Sequence, residues 1–351
     1  MAEQEQQHLQ QQEETEGAQA QPEAAEQAME AMDEAQLGAV LLDRAAKIGA
    51  RMRAVFFLRT KGGEPAVEQL CKALAELKGD SSLLRHELAY CIGQLQLPSA
   101  VPTLCQVLRD TEDCPVVRHE SAEALAAIGD VSTPVTLEIL EEFCNDARPE
   151  VSETCKIAVD RVKMLVVERA EQGPDATAVP APDDQYNSVD PAPPIAEHKT
   201  VEELVETLLN QDLELFHRYQ AMFALRNTGT EAAVLGLASG LKDSSALFRH
   251  EIAFILGQMA HPASFEALKE SLSDGAEHAM VRHEAAEAIG AIVDSITPDD
   301  TAPSRGDCVA LLRQYLADEE PLVSESCETA LDSIEYWDDF NSKAHEQAVD
   351  A

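Results

Sequence analysis

Four short phrases place an imidazole beside a carboxylate: His86-Glu87, His119-Glu120, His250-Glu251 and His283-Glu284. Each is led by an arginine: Arg85, Arg118, Arg249 or Arg282. Imidazole nitrogen and carboxylate oxygen are the donors nonhaem Fe(II) uses, and two His with one carboxylate per metal leave positions open for dioxygen and a substrate. Four pairs supply two such sets. Two irons together can give electrons to one dioxygen molecule, so the chemistry expected is oxygen-dependent attack on an unactivated C–H bond. Adjacent helical residues point about 100° apart at about 3.6 residues per turn, so both members of a pair need not bind one metal equally. All four His are expected as ligands, with Glu120 and Glu284 favoured as carboxylates. Glu87 and Glu251 either join them or hold a cationic substrate. Glu123 and Glu287 follow His119 and His283 by four positions on the same helical face. They are candidates to accept a hydrogen bond from a ligand imidazole, the alternative being a solvated i,i+4 partner. No catalytic residue separate from the metal site is expected, and the four Arg read as structural.

The register of the pairs implies the elements that carry them. The same 164-residue step separates His86 from His250 and His119 from His283. The surrounding phrases repeat too: SLLRHELAYCIGQL against ALFRHEIAFILGQM, PEVSETC against PLVSESC, and AVFFLR against AMFALR. Within each half a 33-residue step relates the two His. That period, with helical patterning only, implies helical hairpins stacked as a solenoid. In VVRHESAEALAAIG the apolar and small residues recur at helical spacing, Pro115 suits the first turn and Gly129 the end. PSAVPTLCQVLRD supplies the second helix of a hairpin. Equivalent positions on adjacent hairpins lie side by side, roughly 10 Å apart by ordinary helix packing. Facing the halves about an approximate two-fold axis would converge the pairs on one space.

The expected architecture is therefore all-α, an α-α superhelix of about four hairpins in each of two duplicated halves. Residues 1–33, rich in Gln, Glu and Ala, are expected to form a disordered acidic tail. The N-terminal half spans 34–170, a Pro-rich linker 171–198, the C-terminal half 199–340, and a loose tail 341–351. Aromatics make up only 4% of the chain, which favours helices with small residues at close contacts. The formal net charge of −39 argues against nucleic acid, whose phosphates need clustered Lys and Arg, and against an anionic membrane surface, but suits a cationic partner. None of the eight Cys forms a Cys-x-x-Cys pair and most fall in apolar helical patterns, so they read as reduced core thiols. No signal-like or membrane-length apolar run is evident, and an intracellular, soluble protein is expected.

The Val-Arg-x-x-Ala-x-x-Ala-hydrophobic-Gly phrase resembles HEAT-type repeats. With the four His-Glu pairs in a two-plus-two duplication, the chain resembles the deoxyhypusine hydroxylases, a HEAT-repeat diiron monooxygenase family, over about 45–168 and 200–340. The resemblance implies two Fe(II) ions held by His86, Glu87, His119, Glu120, His250, Glu251, His283 and Glu284, with none of the family's ligand positions missing. It implies hydroxylation by dioxygen of deoxyhypusine, a lysine extended by an aminobutyl group, on the hypusine-bearing translation factor. An electron donor would be needed. A monomer, cytoplasmic and also nuclear, is expected. The acidic N-terminal tail, the longish linker and an insertion at about 297–306 depart from the pattern outside its motifs. Three rivals remain. A dinuclear hydrolase would need basic groups for a phosphate; a repeat related to the phycobilin lyases would lack the fourfold array; and a HEAT-repeat scaffold binding a basic partner would leave the pairs idle.

Overall fold

The computed structural model describes residues 29–132, 134–172, 186, 188–297 and 303–349, with side chains described through 338. From Glu34 onward the first half contributes eight helices: α1 (Glu34–Leu42), α2 (Ile48–Lys61), α3 (Gly63–Glu76), α4 (Ser82–Leu95), α5 (Val101–Arg109), α6 (Pro115–Ile128), α7 (Val135–Phe143) and α8 (Pro149–Gln172). The second half contributes eight more: α9 (Val201–Leu209), α10 (Leu215–Thr228), α11 (Glu231–Ser239), α12 (Ala246–Met259), α13 (Phe265–Ser273), α14 (Ala279–Ile292), α15 (Arg305–Gln314) and α16 (Pro321–Val349). Each helix of the first half has its duplicate eight places on, and no strand occurs among the described residues. Eight helices per half are the four hairpins the 33-residue period implies.

The His-Glu pairs sit on α4, α6, α12 and α14, the inner helices. Along α6 every residue from Val116 to Ile128 is buried except Glu123. A helix buried all round is one enclosed by other elements, and Arg118, His119 and Glu120 of α6 are buried polar groups; the outer α5 keeps only one buried face. Ser81 and Ser245 cap α4 and α12, each hydroxyl accepting from the backbone N–H three residues on, which satisfies a donor the helix start leaves open. Pro115 stands at the first position of α6, and Gly129 ends it in the left-handed region at φ 58°. Neighbouring inner helices meet at glycine: a Cβ on Gly93 would lie 2.8 Å from Ala124 Cα, and one on Gly257 3.1 Å from Ala288 Cα. The absence of a side chain there lets α4 approach α6, and α12 approach α14, more closely than ordinary side chains allow.

Arginines bind hairpin to hairpin. Arg118 donates through Nε to the Leu108 carbonyl at 3.1 Å and through its terminal nitrogens to Asp146, which lies just ahead of α8. The same double grip joins Arg51 to Leu41 and Asp80, Arg85 to Leu74 and Asp113, Arg218 to Leu208 and Asp243, and Arg282 to Leu272 and Asp318. Arg249 varies it, pairing with Glu277 and the Asp243 carbonyl. All four arginines that lead the His-Glu phrases are thus buried or part-buried ion-pair partners. Planar guanidinium matches carboxylate in two parallel bonds, which fixes orientation as well as charge.

The halves meet about an approximate two-fold. Ser81 donates to Glu325 at 2.6 Å, and the duplicated Ser245 donates to Glu153 at 2.6 Å. Near the axis Tyr90 stacks edge-on against its own duplicate Phe254, ring centroids 5.8 Å apart. Reciprocal contacts of this kind are what a two-fold relation requires.

Two boundaries differ from expectation. Residues 341–351, expected as a loose end, continue α16 as far as Val349. Within the linker 171–198, Ser188, Val189, Asp190, Pro191 and Ala192 are buried, so its last part is a packed segment rather than a spacer. Of the acidic tail, 1–28 lie outside the described residues, as do 173–185 of the linker and 298–302 of the insertion. All eight cysteines are free and none is fully exposed, as core thiols should be.

Hydrogen bonding from Arg118 and Arg282 holds the Asp146 and Asp318 carboxyls below their ordinary value of 3.8. A depressed folded pKa stabilises above the unfolded value, and the gain is lost as pH falls through the folded value. Asp146→Ala, which strands Arg118 without its partner, should lower stability by about 3 kcal/mol at neutral pH. The wild-type and variant melting temperatures should converge on acidification; thermal unfolding followed by circular dichroism across pH checks both.

Candidate metal centre

The four imidazoles converge. Ring centroids of His86 and His119 lie 5.6 Å apart, those of His250 and His283 5.4 Å. Across the halves His86 lies 5.3 Å from His283 and 5.8 Å from His250, and His119 lies 5.4 Å from His250. All four rings and all four paired glutamates are buried.

The duplicates agree in detail. His86 Nε2 lies 3.2 Å from Glu120 Oε2, and His250 Nε2 lies 3.4 Å from Glu284 Oε2. The first of these is within range but off-line for a hydrogen bond, since His86 Nε2 has no hydrogen-bond partner. Neither has His119 Nδ1 or Nε2, His250 Nδ1 or Nε2, His283 Nε2, or Glu251 Oε1. An unsatisfied buried polar atom costs ~1–3 kcal/mol, so this many together need a compensating ligand. Nitrogen and oxygen lone pairs aimed into one enclosed space fit a metal cation. Among the described residues, three sets bring ligand atoms within 4.8 Å of one another: His86, His119 and Glu120; His86, His250 and His283; and His283, Glu284 and Glu287. The first joins two of the four histidines with Glu120. In the second half Glu284 and His283 are joined by Glu287, while His250 groups with His86 across the axis.

The paired glutamates differ in their contacts. Glu87 Oε1 lies 3.1 Å from His86 Nδ1, an orientation that leaves Nε2 facing the cluster. Glu287 lies 3.7 Å from His283 Nδ1 and accepts from Ser326 Oγ at 3.0 Å; that hydroxyl stands 3.5 Å from the same nitrogen. Glu287 thus stands on the Nδ1 side of His283 without a direct hydrogen bond, and Ser326 contacts both. No such arrangement holds at Glu123: both nitrogens of His119 lack a partner, and Thr154, the duplicate of Ser326, gives its hydroxyl to the Glu150 carbonyl. Ser326 was the residue sequence reasoning missed. Its signal was the repeated PEVSETC/PLVSESC phrase, whose polar positions point to a shared role.

Electrostatics separate the rings. Burial, reinforced by neighbouring imidazoles, holds His119, His250 and His283 well below their usual pKa, so they are neutral, the form that binds metal. Burial also opposes the His86 imidazolium, but Glu120 and then Glu87 outweigh it and raise that group. Burial and then adjacent carboxylates push Glu251 and Glu284 well up. A cation in their midst would reverse that shift.

Glu287 also lines a cavity of about 670 Å³ between α2 and α16, rimmed by Phe56, Tyr336 and Trp337. Glu287, beside His283, therefore has one side toward the surface.

Comparison with known proteins decides the lineage. The HEAT repeats model matches residues 67–158 and 234–331, and the PBS lyase HEAT-like repeat model matches 218–243. Deoxyhypusine hydroxylase of Danio rerio is 48% identical over 304 residues, 87% of this chain and 92% of the relative. The Homo sapiens protein of the same name is 46% identical over 300 residues, 86% and 90%. The solved structure of human deoxyhypusine hydroxylase in complex with glycerol superposes with a TM-score of 0.75 at 45% identity, over 89% of this chain and 99% of that one. The chain belongs to the deoxyhypusine hydroxylase family. Family membership makes it an enzyme, and nothing favours a scaffold without chemistry. The duplicated helical array and the His/Glu clusters it encloses are compatible with a metal site in this hydroxylase family.

His119→Ala and His283→Ala should each lower bound metal while the helical circular dichroism signal and a cooperative melt persist, because each hairpin packs mainly on its neighbours. Loss of fold in both would contradict the assignment of these rings to a site rather than to the core. Glu287→Gln should keep the fold and weaken metal affinity ~10–100-fold, the usual effect of removing an imidazole's outer partner; competition with a chelator measures it.

Proposed function

We propose that the chain is a diiron monooxygenase that hydroxylates the deoxyhypusine residue of the hypusine-bearing translation factor to hypusine, using dioxygen. Its hydroxylase activity follows from the family. The observation that carries the metal assignment is the cluster of six orphaned ring nitrogens on four buried histidines, set among buried carboxylates. His86, His119 and Glu120 would hold one Fe(II), and His250, His283 and Glu284 the other. When bound, the irons supply the electrons that activate dioxygen for C–H oxidation.

The chain's own groups prepare that chemistry. Glu87 fixes the His86 ring from behind, and Glu287 with Ser326 fixes His283. The substrate arm carries two amines, protonated at neutral pH, and takes up the negative charge gathered here. Glu87 and Glu251 are the candidates to meet it: Glu87 feels the charge of Glu287, the residue that lines the open cavity, and Glu251 keeps a buried Oε1 that an ammonium donor would satisfy. Burial of all four rings and their paired glutamates strengthens each of these interactions. The whole chain carries −39, which favours encounter with a basic protein surface. A monomer working in the cytoplasm, and in the nucleus, is part of this reading.

Anaerobic purification followed by metal analysis should find about two irons per chain, the number two His-carboxylate sets require. Adding dioxygen, a reductant and the deoxyhypusine-bearing protein should then yield hypusine by mass spectrometry. A chain with no bound metal, whose partner binding is unchanged by His86→Ala, would overturn the proposal.

A further inference from the structure

A two-fold array should have two mouths, one at each junction between the halves, yet the two junctions differ. One lies between α2 and α16, the other between α10 and α8, their duplicates. Glu287, Gly290, Thr329 and Ala330 line the first; the duplicated positions Glu123, Ala126, Ile157 and Ala158 line the second. The first encloses about 670 Å³ and the second about 10 Å³, little more than the ~10–15 Å³ that one water needs. At the rim Phe56 is 42% exposed and Trp337 44%, whereas their duplicates Phe223 and Leu165 are 0% and 5% exposed.

The linker makes the difference. Pro191 lines the small second cavity, and the segment from Ser188 to Ala192 is buried against that junction. Three grips hold it. Asp190 accepts two bonds from the buried Arg226, at 2.9 and 2.6 Å. Gln94 clasps the Val189 backbone, accepting from its N–H at 2.8 Å and donating to its carbonyl at 3.3 Å. Ile195 N–H donates to the Gln220 carbonyl at 3.1 Å. Arg161, the duplicate of the exposed Ser333, adds bulk from α8 and donates to the Ala126 carbonyl. A guanidinium with no exposure paired to a carboxylate is costly to separate, so the segment is fixed.

We infer that residues Ser188–Ala192 are a stopper that closes one of the two mouths the duplication creates, leaving the mouth beside Glu287 as the path by which a protein-borne, cationic aminoalkyl arm reaches the His-Glu cluster. This inference rests on the proposed substrate class. The open mouth suits that arm: Phe56 and Trp337 offer faces to methylenes and an ammonium, Glu287 within draws the charge inward, and the other charged lining groups are paired, Arg53 with Asp332 and Asp294 with Arg305. One-sided access makes the reaction directional, since the arm arrives always from the second half's Glu287 and never from Glu123. Glu287 is then a positioning residue for the arm as well as for His283.

The test uses iron-loaded full-length enzyme and the deoxyhypusine-bearing protein. Ser333→Trp and the polar Ser333→Arg should raise KM about tenfold or more with iron content and kcat nearly kept, as loss of access rather than of chemistry does. Ala196→Trp, exposed beyond the stopper on the other face, should leave both constants unchanged. Full activity in both Ser333 variants, or an equal loss in Ala196→Trp, overturns the assignment of the path. The stopper has a readout independent of substrate. Asp190→Ala, or Gln94→Ala should the first not fold, should speed removal of iron by a small chelator about tenfold through the opened mouth; unchanged removal overturns the stopper. If wild type fails to hydroxylate the protein substrate, the functional reading falls while this last measurement still decides the stopper.

Discussion

Enclosing four imidazoles, six of whose ring nitrogens lack a hydrogen-bond partner, among buried carboxylates is the condition around which this molecule is built. Each unsatisfied atom opposes folding, and burial makes the Glu251 and Glu284 carboxyls resist ionisation. A globular core nucleated on such groups would be unstable. A solenoid avoids the problem because its stability is summed over hairpin-on-hairpin contacts along the outer and inner layers. The polar cluster then occupies the seam between two independently supported halves, and a bound cation would convert its cost into affinity.

Precision at that seam comes from backbone features rather than from the cluster itself. Gly93 against Ala124 and Gly257 against Ala288 set how near the inner helices lie. The arginine–carboxylate grips, Arg85 on Asp113 and Arg118 on Asp146 among them, fix rotation of one hairpin on the next. His and Arg are neighbours in sequence and point to different layers, so the RHE phrase does two jobs: the arginine locks the repeat and the pair behind it faces the seam. That is why an arginine precedes each His although none touches the cluster.

Duplication gave the centre its symmetry, and departures from symmetry give it a direction. Ser326 supports Glu287, whereas Thr154 turns from Glu123 to a main-chain carbonyl. Ser188–Ala192 fills one junction and the other stays open. A symmetric vessel would offer a long cationic arm two equivalent approaches; the filled junction removes one of them.

The sequence by itself determined the repeats, the duplication, the all-helical class and the pairing of His86 with His119 and of His250 with His283, because a periodic chain stacks its equivalent positions on adjacent hairpins. The family resemblance was legible in the same phrases. Tertiary structure decided what periodicity cannot express. Glu123 and Glu287 are equal in register, and only the residue that α8 or α16 brings opposite them, Thr154 or Ser326, sets them apart. Pro-rich composition around 188–192 reads as a spacer, since the burial of Asp190 depends on Arg226, a partner on a distant helix with no local signature. The end of α16 could not be read from 341–351 either, because polar composition there does not distinguish a loose tail from a helix continued by the one before it. Local pattern fixes what lies on each helix face; contact between separate elements fixes which of two equivalent faces becomes the working one.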